Sequence, residues 1–136
     1  MSPPAQSPPT VPPRSARFIN VRLEPATIRP RTRARLRFLL TSETRVQLKL
    51  DRQVLGRVKR GSRGCEQRTR RNARNPPCSY FLPLPGRRLV AGRAGSNQVT
   101  LTRRFAGRVL KAGVYRLTLR AASGDLTQLV FKVLRR

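Results

Sequence analysis

Apolar and polar side chains alternate at every second position along several short segments of the chain. This alternation is typical of β-strands that bury one face. Two such segments, residues 97–103 and 114–122, organise the rest of the chain, and Gly113 lies two positions before Tyr115. We predict that Gly113 and Tyr115 form a structural corner, with the tyrosine ring packed inward and its hydroxyl bonded to nearby backbone.

Further segments carry the same alternation. They are residues 17–23, 32–40, 46–50, 79–85 and 126–134, and residues 53–59 are a short continuation of segment 46–50. The first segment should place Ile19, Val21 and Leu23 on one face. The segment around Gly56 is interpreted as a bent or edge strand. The segment that contains Pro83 is interpreted as an edge strand, because proline cannot donate to a sheet ladder.

The number of strands and the absence of helical periodicity predict the fold class. Residues 86–95 are rich in turn-forming residues and are expected to be a crossing without a strand. Seven or eight short strands remain, which predicts an all-β antiparallel sandwich over residues 17–136, with a basic loop at 59–77. Residues 1–16 contain six prolines among serine, threonine and alanine, which predicts a disordered, extended linker.

The charge balance is extreme. The chain has 31 Lys+Arg against 5 Asp+Glu, a formal net charge of +26. The positive electrostatic potential of such a chain should attract nucleic acid, anionic lipid or an acidic cell-wall polymer. Composition alone does not indicate which of these it binds. The preference for arginine over lysine could also reflect a GC-rich genome.

One predicted strand concentrates this charge on a single face. Arg33, Arg35 and Arg37 alternate with the apolar residues of segment 32–40. Arginines two positions apart on a strand point the same way, so they could form a ladder for a polyanion. The alternative, which we favour, is an ordinary solvated outer face.

The basic loop (residues 59–77) is the second concentration of charge. Its candidate anion-binding residues are Arg60, Arg63, Arg68, Arg70, Arg71 and Arg74. Cys65 and Cys78 lie 13 positions apart and nearly bracket its distal part. A disulfide between them would remove about 3 kcal/mol of loop entropy from the unfolded chain. The alternative is two free thiols in an unconstrained arm; we expect the disulfide.

The residues that most enzymes need are scarce or missing. The chain has no histidine, and its five carboxylates are scattered among turns and strand ends. Two cysteines alone cannot complete a tetrahedral zinc site. A glycine-rich phosphate loop and clustered acids for calcium are also missing. We therefore predict no catalytic residues, no cofactor and no metal site, and we expect a protein that is not an enzyme.

Nucleic-acid binding remains the alternative function. Phe38, Tyr115 and Phe131 share the core-facing parity of their strands, so we do not expect them to be stacking platforms. Under this alternative, the chain is a small cytoplasmic protein whose arginines contact phosphates and do not recognise bases. Its binding would then depend on salt and not on nucleotide sequence.

The C-terminal half resembles a known family. The run Asn97-Gln98-Val99-Thr100-Leu101, followed by Phe105-Ala106-Gly107-Arg108 and by Leu110-Lys111-Ala112-Gly113-Val114-Tyr115, is similar to a pattern of bacterial immunoglobulin-like (Ig-like) modules. These include the Ig-like domain of flagellar hook-capping proteins and related repeats of secreted and cell-surface bacterial proteins. Ala112 stands where the family usually has proline. Segments 36–40 and 46–50 are similar to the family's N-terminal strand pair.

The resemblance implies an Ig-like or fibronectin-III-like sandwich, export, a Cys65–Cys78 disulfide, and a non-catalytic interaction or spacer role near anionic wall polymers. The sequence gives conflicting indications of the compartment. The expected disulfide favours export, whereas residues 1–13 lack the apolar segment of a signal peptide. No apolar run approaches the roughly 20 residues of a membrane helix, so no transmembrane segment is expected. An extracellular or cell-surface location is the prediction, and a cytoplasmic one is the alternative.

Overall fold

The computed structural model describes residues 16–136. Within this range the chain forms twelve β-strands and no α-helix, so the predicted all-β sandwich is confirmed. Without helices, this part of the chain offers no helical segment that could cross a membrane. The predicted linker, residues 1–16, lies outside the described residues except for Ala16, which is fully buried.

The strands differ widely in length. In chain order they are β1 (Phe18–Glu24), β2 (Thr27–Ile28), β3 (Ala34–Leu40), β4 (Thr44–Val58), β5 (Cys65–Glu66), β6 (Pro77–Pro83), β7 (Arg88–Gly92), β8 (Gly95–Leu101), β9 (Arg104–Phe105), β10 (Arg108–Val109), β11 (Gly113–Ala121) and β12 (Leu126–Val133). The predicted segments correspond to β1, β3, β4, β6, β8, β11 and β12. The remaining strands are short and lack clear alternation, which is why periodicity did not find them.

The smaller sheet contains three antiparallel strands in the order β1-β3-β8, and a bulge in β1 changes which residues face inward. Ile19 pairs with Leu39, but the next pair along the strands is Arg22 with Arg37. The extra residue of β1 is accommodated around Asn20, whose φ is +51°. A bulge shifts the alternation by one residue. Ile19 is consequently 45% exposed whereas Leu23 is buried, so the prediction that Ile19 shares one face with Val21 and Leu23 is wrong.

The larger sheet runs in the order β2-β12-β11-β4, with β6 and β7 successively along the far side of β4. β4 is one strand of 15 residues, so residues 53–58 continue the strand that begins at Thr44, as the sequence predicts. The crossing predicted for residues 86–95 contains β7, whose Leu89 is 60% exposed. β6 pairs only with β4 and is an edge strand, as predicted.

The two sheets enclose one hydrophobic core. Its buried side chains include Leu36, Phe38, Leu40, Leu48, Leu50, Leu117, Leu119 and Phe131. Tyr115 is only 1% exposed, and its ring stacks on Phe131 with 5.7 Å between the ring centroids. Its hydroxyl donates a 2.6 Å hydrogen bond to the carbonyl oxygen of Lys111. These are the contacts that the sequence predicts for Tyr115.

The segment between β8 and β11 carries the chain from one sheet to the other. β9 and β10 form a small hairpin, and its turn residues Ala106 and Gly107 both have positive φ, at 49° and 80°. Consecutive positive φ angles favour glycine, which explains Gly107. Gly113 opens β11 opposite Val133 and has no such angle, so a side chain there would be tolerated sterically.

Candidate anion-binding loop

The basic loop is attached to the second half of β4. β5 pairs with β4 at Arg57 and Val58, and β6 pairs with residues 51–57 of the same strand. A disulfide joins Cys65 of β5 to Cys78 of β6, with 6.0 Å between their Cα atoms. The predicted disulfide is therefore confirmed, and it closes the distal part of the loop onto the sheet.

Gly56 of β4 makes this arrangement possible. A Cβ atom at Gly56 would overlap the Glu66 carbonyl oxygen and would lie 2.7 Å from a Tyr80 ring carbon and 3.1 Å from the Cys65 Sγ atom. The glycine therefore lets β5 and the disulfide approach the β4 backbone closely. From the sequence, Gly56 indicates a bent or edge strand, and the structure shows that it also allows close packing.

Asn72 organises the inside of the loop. Its side chain is 3% exposed, and its Oδ1 atom accepts a 2.6 Å hydrogen bond from the Thr69 backbone N–H. Its Nδ2 group donates to Glu66 Oε1 at 3.0 Å and to the Gln67 carbonyl oxygen at 2.8 Å. An amide that satisfies three partners stabilises one loop conformation.

A second set of hydrogen bonds holds the base of the loop. Asn75 Nδ2 donates to the Val58 carbonyl oxygen at 2.9 Å, and the Val58 N–H donates to the Pro76 carbonyl oxygen at 2.9 Å. Arg57 Nη1 donates to the Asn75 carbonyl oxygen at 3.2 Å. Asn72, Asn75 and Arg57 were not singled out from the sequence. The two asparagines were the available signal, because asparagine side chains commonly bond nearby backbone.

The candidate arginines share one environment. All of them are solvent-exposed: Arg60, Arg63, Arg68, Arg70, Arg71 and Arg74. Among residues 16–136 the ion pairs are Arg22 with Glu24 and Arg116 with Asp51, so none of these six arginines has a carboxylate partner. Glu66 is the only acid in the loop, and its carboxylate is bonded to Asn72. The loop therefore exposes six arginines whose charge no carboxylate neutralises, and its backbone is held by the Cys65–Cys78 disulfide and the Asn72 hydrogen bonds.

The predicted corner residues do not belong to this surface. Tyr115 is buried at the start of β11, and burial raises the pKa of its phenol above the usual value of 10.0. The positive charge of Arg52 and the hydrogen bond to Lys111 act in the opposite direction but are smaller. Within the described range, no group of three or more His, Cys, Asp or Glu side chains comes together as a metal site would need.

Comparison with known protein families and with curated proteins finds no match. Among solved structures, the chain is similar to the alkylpurine DNA glycosylase AlkC of Pseudomonas fluorescens bound to DNA containing an abasic site analog. The identity is 16% and the TM-score 0.40, over 90% of this chain and 31% of that chain.

Two carbohydrate-active enzymes show similarity at the same level. A cycloisomaltooligosaccharide glucanotransferase of Paenibacillus sp. gives 12% identity and a TM-score of 0.41, over 87% of this chain and 14% of that chain. A beta-glucosidase of Listeria innocua gives 14% and 0.41, over 87% of this chain and 16% of that chain. The chain spans less than a third of each of these proteins, and similarity this weak carries no argument.

Proposed function

We propose that this protein is a non-catalytic Ig-like module of the cell surface or the secreted space. It acts as an interaction or spacer domain and is held near anionic cell-wall polymers by the basic loop. The observation that carries the proposal is the loop itself: exposed arginines without carboxylate partners, on a frame closed by a disulfide and by the Asn72 hydrogen bonds. A frame ordered before binding loses less entropy when an anionic ligand binds.

Strand order supports the Ig-like part of the proposal. In variable-type Ig domains, one sheet contains strands A, B and E, and the other runs G, F, C and C′. The order β1-β3-β8 opposite β12-β11-β4, with β6 and β7 beside β4, follows this arrangement. Tyr115 lies near the start of the strand equivalent to F and bonds backbone four residues upstream, as a tyrosine corner does. The relation to the hook-capping family is proposed on the sequence resemblance.

The disulfide supports the proposed location. Cys65 and Cys78 are bonded, and the described residues contain no free cysteine. Disulfides persist in oxidising compartments and are rare where glutathione and thioredoxin keep thiols reduced. This preference supports the proposed extracellular or wall-associated location.

The second candidate function is nucleic-acid binding in the cytoplasm, which the net charge of +26 favours. The aromatic side chains do not add to it. Phe38, Tyr115 and Phe131 are buried in the core, and the Phe81 ring is covered by the Arg116 guanidinium at 4.5 Å. Single-strand binders normally combine basic grooves with exposed stacking platforms.

The proposal can be tested by comparing two variants of equal net charge, one that loses four arginines in the basic loop and one that loses four arginines elsewhere. The loop variant carries Arg68→Gln, Arg70→Gln, Arg71→Gln and Arg74→Gln. The control variant removes four exposed arginines outside the loop through Arg93→Gln, Arg104→Gln, Arg108→Gln and Arg120→Gln. Each is titrated with purified polyglycerol-phosphate wall polymer and with a single-stranded oligonucleotide of equal phosphate number, across a salt series.

We expect the loop variant to lose most of its affinity for the wall polymer and the control to lose much less. If the loop arginines contact phosphates, the slope of log affinity against log salt should fall by about 3 for the loop variant. Equal losses in both variants would show that net charge alone is responsible and would contradict the loop proposal. Tighter binding of the oligonucleotide at physiological salt, with a sequence preference, would favour the second candidate function.

A further inference from the structure

The outer face of the smaller sheet places two arginines directly opposite each other. Arg22 of β1 pairs in register with Arg37 of β3, and Gln98 of β8 pairs with Arg37 on its other side. Like charges at directly opposed positions destabilise a sheet. The bulge at Asn20 creates this juxtaposition, because it sets which residue of β1 stands opposite Arg37.

Arg37 is not satisfied by the protein. Its Nε atom is the one buried side-chain nitrogen or oxygen among residues 16–136 that lacks a hydrogen-bond partner. Its guanidinium has no ion pair either, since the described ion pairs involve Arg22 and Arg116. A buried donor left unbonded costs free energy, so an acceptor that reoriented Arg37 would remove that cost.

Arg37 lines two surface depressions. One is lined by Asn20, Arg22 and Arg37 together with Ser96, and the other by Arg37, Ser96, Asn97 and Gln98. The guanidinium groups, the serine hydroxyl and the glutamine amide can all donate hydrogen bonds to an oxyanion. Two positive groups and two neutral donors on neighbouring strands suit the several oxygens of a phosphate group better than a single carboxylate.

One carboxylate stands beside this group. Glu24 Oε1 lies 3.4 Å from Arg22 Nε, and the two side chains are 53% and 61% exposed. An exposed pair of this kind is worth little, typically below about 1 kcal/mol. Glu24 therefore acts as a weak internal competitor for an anion at Arg22. Glu24 also pairs in register with Arg35, whereas Arg37 pairs with an arginine, Arg22.

We propose that Arg22 and Arg37, with Ser96 and Gln98, form a binding site for a phosphate group. The site lies on the smaller sheet, whereas the basic loop belongs to the larger one, so this proposal does not rest on the proposed function. The proposed site uses a pair of arginines across β1 and β3 and does not need a ladder of arginines along β3.

The test is an NMR titration of the isotopically labelled full chain with inorganic phosphate at constant ionic strength, following the amides of Arg37 and Gln98. Arg37→Gln and Arg22→Gln should each weaken phosphate binding at least about tenfold, because each removes a charge-assisted hydrogen bond. Glu24→Gln should tighten binding by about threefold, because the internal competitor is lost. Arg22 is exposed, so its variant tests the site even if Arg37→Gln disturbs folding.

Matched controls separate the site from net charge. Arg120→Gln, on β11 of the larger sheet, and Glu43→Gln change the charge equally at exposed positions elsewhere and should alter phosphate affinity by less than about twofold. If Arg120→Gln weakens binding as much as Arg37→Gln, or if Glu24→Gln behaves like Glu43→Gln, the site is excluded. Absence of phosphate-dependent shifts at Arg37 and Gln98 would also overturn it.

A second titration with polyglycerol phosphate identifies the source of the phosphate group. Loss of polymer affinity in Arg37→Gln supports a site for polymer phosphates, and an unchanged polymer affinity supports a site for free phosphate. The loop variant described above retains this site. Failure of the loop proposal and failure of the phosphate site are therefore distinguishable in the same set of proteins.

Discussion

Tyr115 shows how one side chain links the core to the backbone. Its ring stacks on Phe131 inside the sandwich, while its hydroxyl bonds the Lys111 carbonyl oxygen just before β11 begins. The period-two pattern predicts the burial of this ring, because Leu117 and Leu119 have the same parity. The partner of the hydroxyl depends on how the chain turns before the strand, and the corner itself does not need Gly113.

We expect Tyr115→Phe to lower the free energy of unfolding near neutral pH by about 1 kcal/mol, the usual net value of one hydrogen bond. Burial raises the pKa of the Tyr115 phenol, so above pH 10 the unfolded chain loses this proton before the folded chain does. The stability of the native protein should fall as pH rises from 10 through the folded pKa. The Tyr115→Phe variant has no phenol at this position, so it should not show this part of the loss of stability above pH 10. Urea unfolding between pH 7 and 11, followed by circular dichroism, measures both effects.

The control for this measurement is Tyr80→Phe, in which the Tyr115 phenol is retained. The two variants should differ above pH 10, where only Tyr80→Phe keeps the alkaline loss of stability due to Tyr115. Identical pH dependence in Tyr115→Phe and in the native protein would contradict the assigned burial effect.

At the scale of elements, β4 connects the core to the candidate site. Its first half pairs with β11 and β7 within the sandwich, and its second half carries β5, β6 and the basic loop. The sequence indicates the first half as an alternating strand and the second half as its bent or edge continuation. The sequence does not show why Gly56 is there, whereas the structure has a close approach of β5 at this position.

Replacing both cysteines, Cys65→Ser with Cys78→Ser, should lower the free energy of unfolding by about 3 kcal/mol, because the unfolded chain regains the loop entropy. The backbone hydrogen bonds from Val58 to Pro76 and from Lys59 to Gly64 should then open more often. Urea unfolding measures the first effect, and faster amide hydrogen exchange at Val58 and Lys59 measures the second.

The native protein treated with a reducing agent provides an independent comparison, since it loses the same bond without a substitution. Agreement between the reduced protein and the double variant would assign the effect to the disulfide. Unchanged exchange at Val58 and Lys59 in both samples would contradict the role of the disulfide in holding the loop.

At the scale of the whole molecule, positive charge is spread over both sheets and the loop with little internal neutralisation. Four of the five carboxylates have partners: Glu24 and Asp51 form ion pairs, Glu66 bonds Asn72, and Asp125 accepts from the Phe18 N–H at 2.8 Å. A net charge of this size promotes association with polyanions and opposes self-association. What distinguishes one surface from another is the local arrangement of the arginines, since charge is present on every side.

The compartment is a prediction about the whole chain. If the protein is exported, material purified from its own host should contain no free sulfhydryl under denaturing, non-reducing conditions, because Cys65 and Cys78 are bonded. Thiol titration with alkylating agents present from the moment of lysis measures this. Two free thiols per chain would contradict the extracellular location and would favour the cytoplasmic nucleic-acid-binding alternative.

The amino-acid sequence by itself determined the properties that depend on local pattern and composition. These are the β-strand class, the inward parity of β3, β4 and β11, the net charge, and the cysteine spacing compatible with a disulfide. Period-two alternation suffices for the strand class and the parity, because a strand that buries one face needs no information about its partners. The net charge and the cysteine spacing are read directly from the residues.

Only the tertiary structure decided which strands are neighbours. β8 and β11, close in sequence, lie in different sheets, and the bulge at Asn20 brings Arg22 opposite Arg37. Asn72 acquires its partners only when the loop closes. These features depend on pairings between distant segments, and a pattern of hydrophobicity within one segment does not encode its register against another.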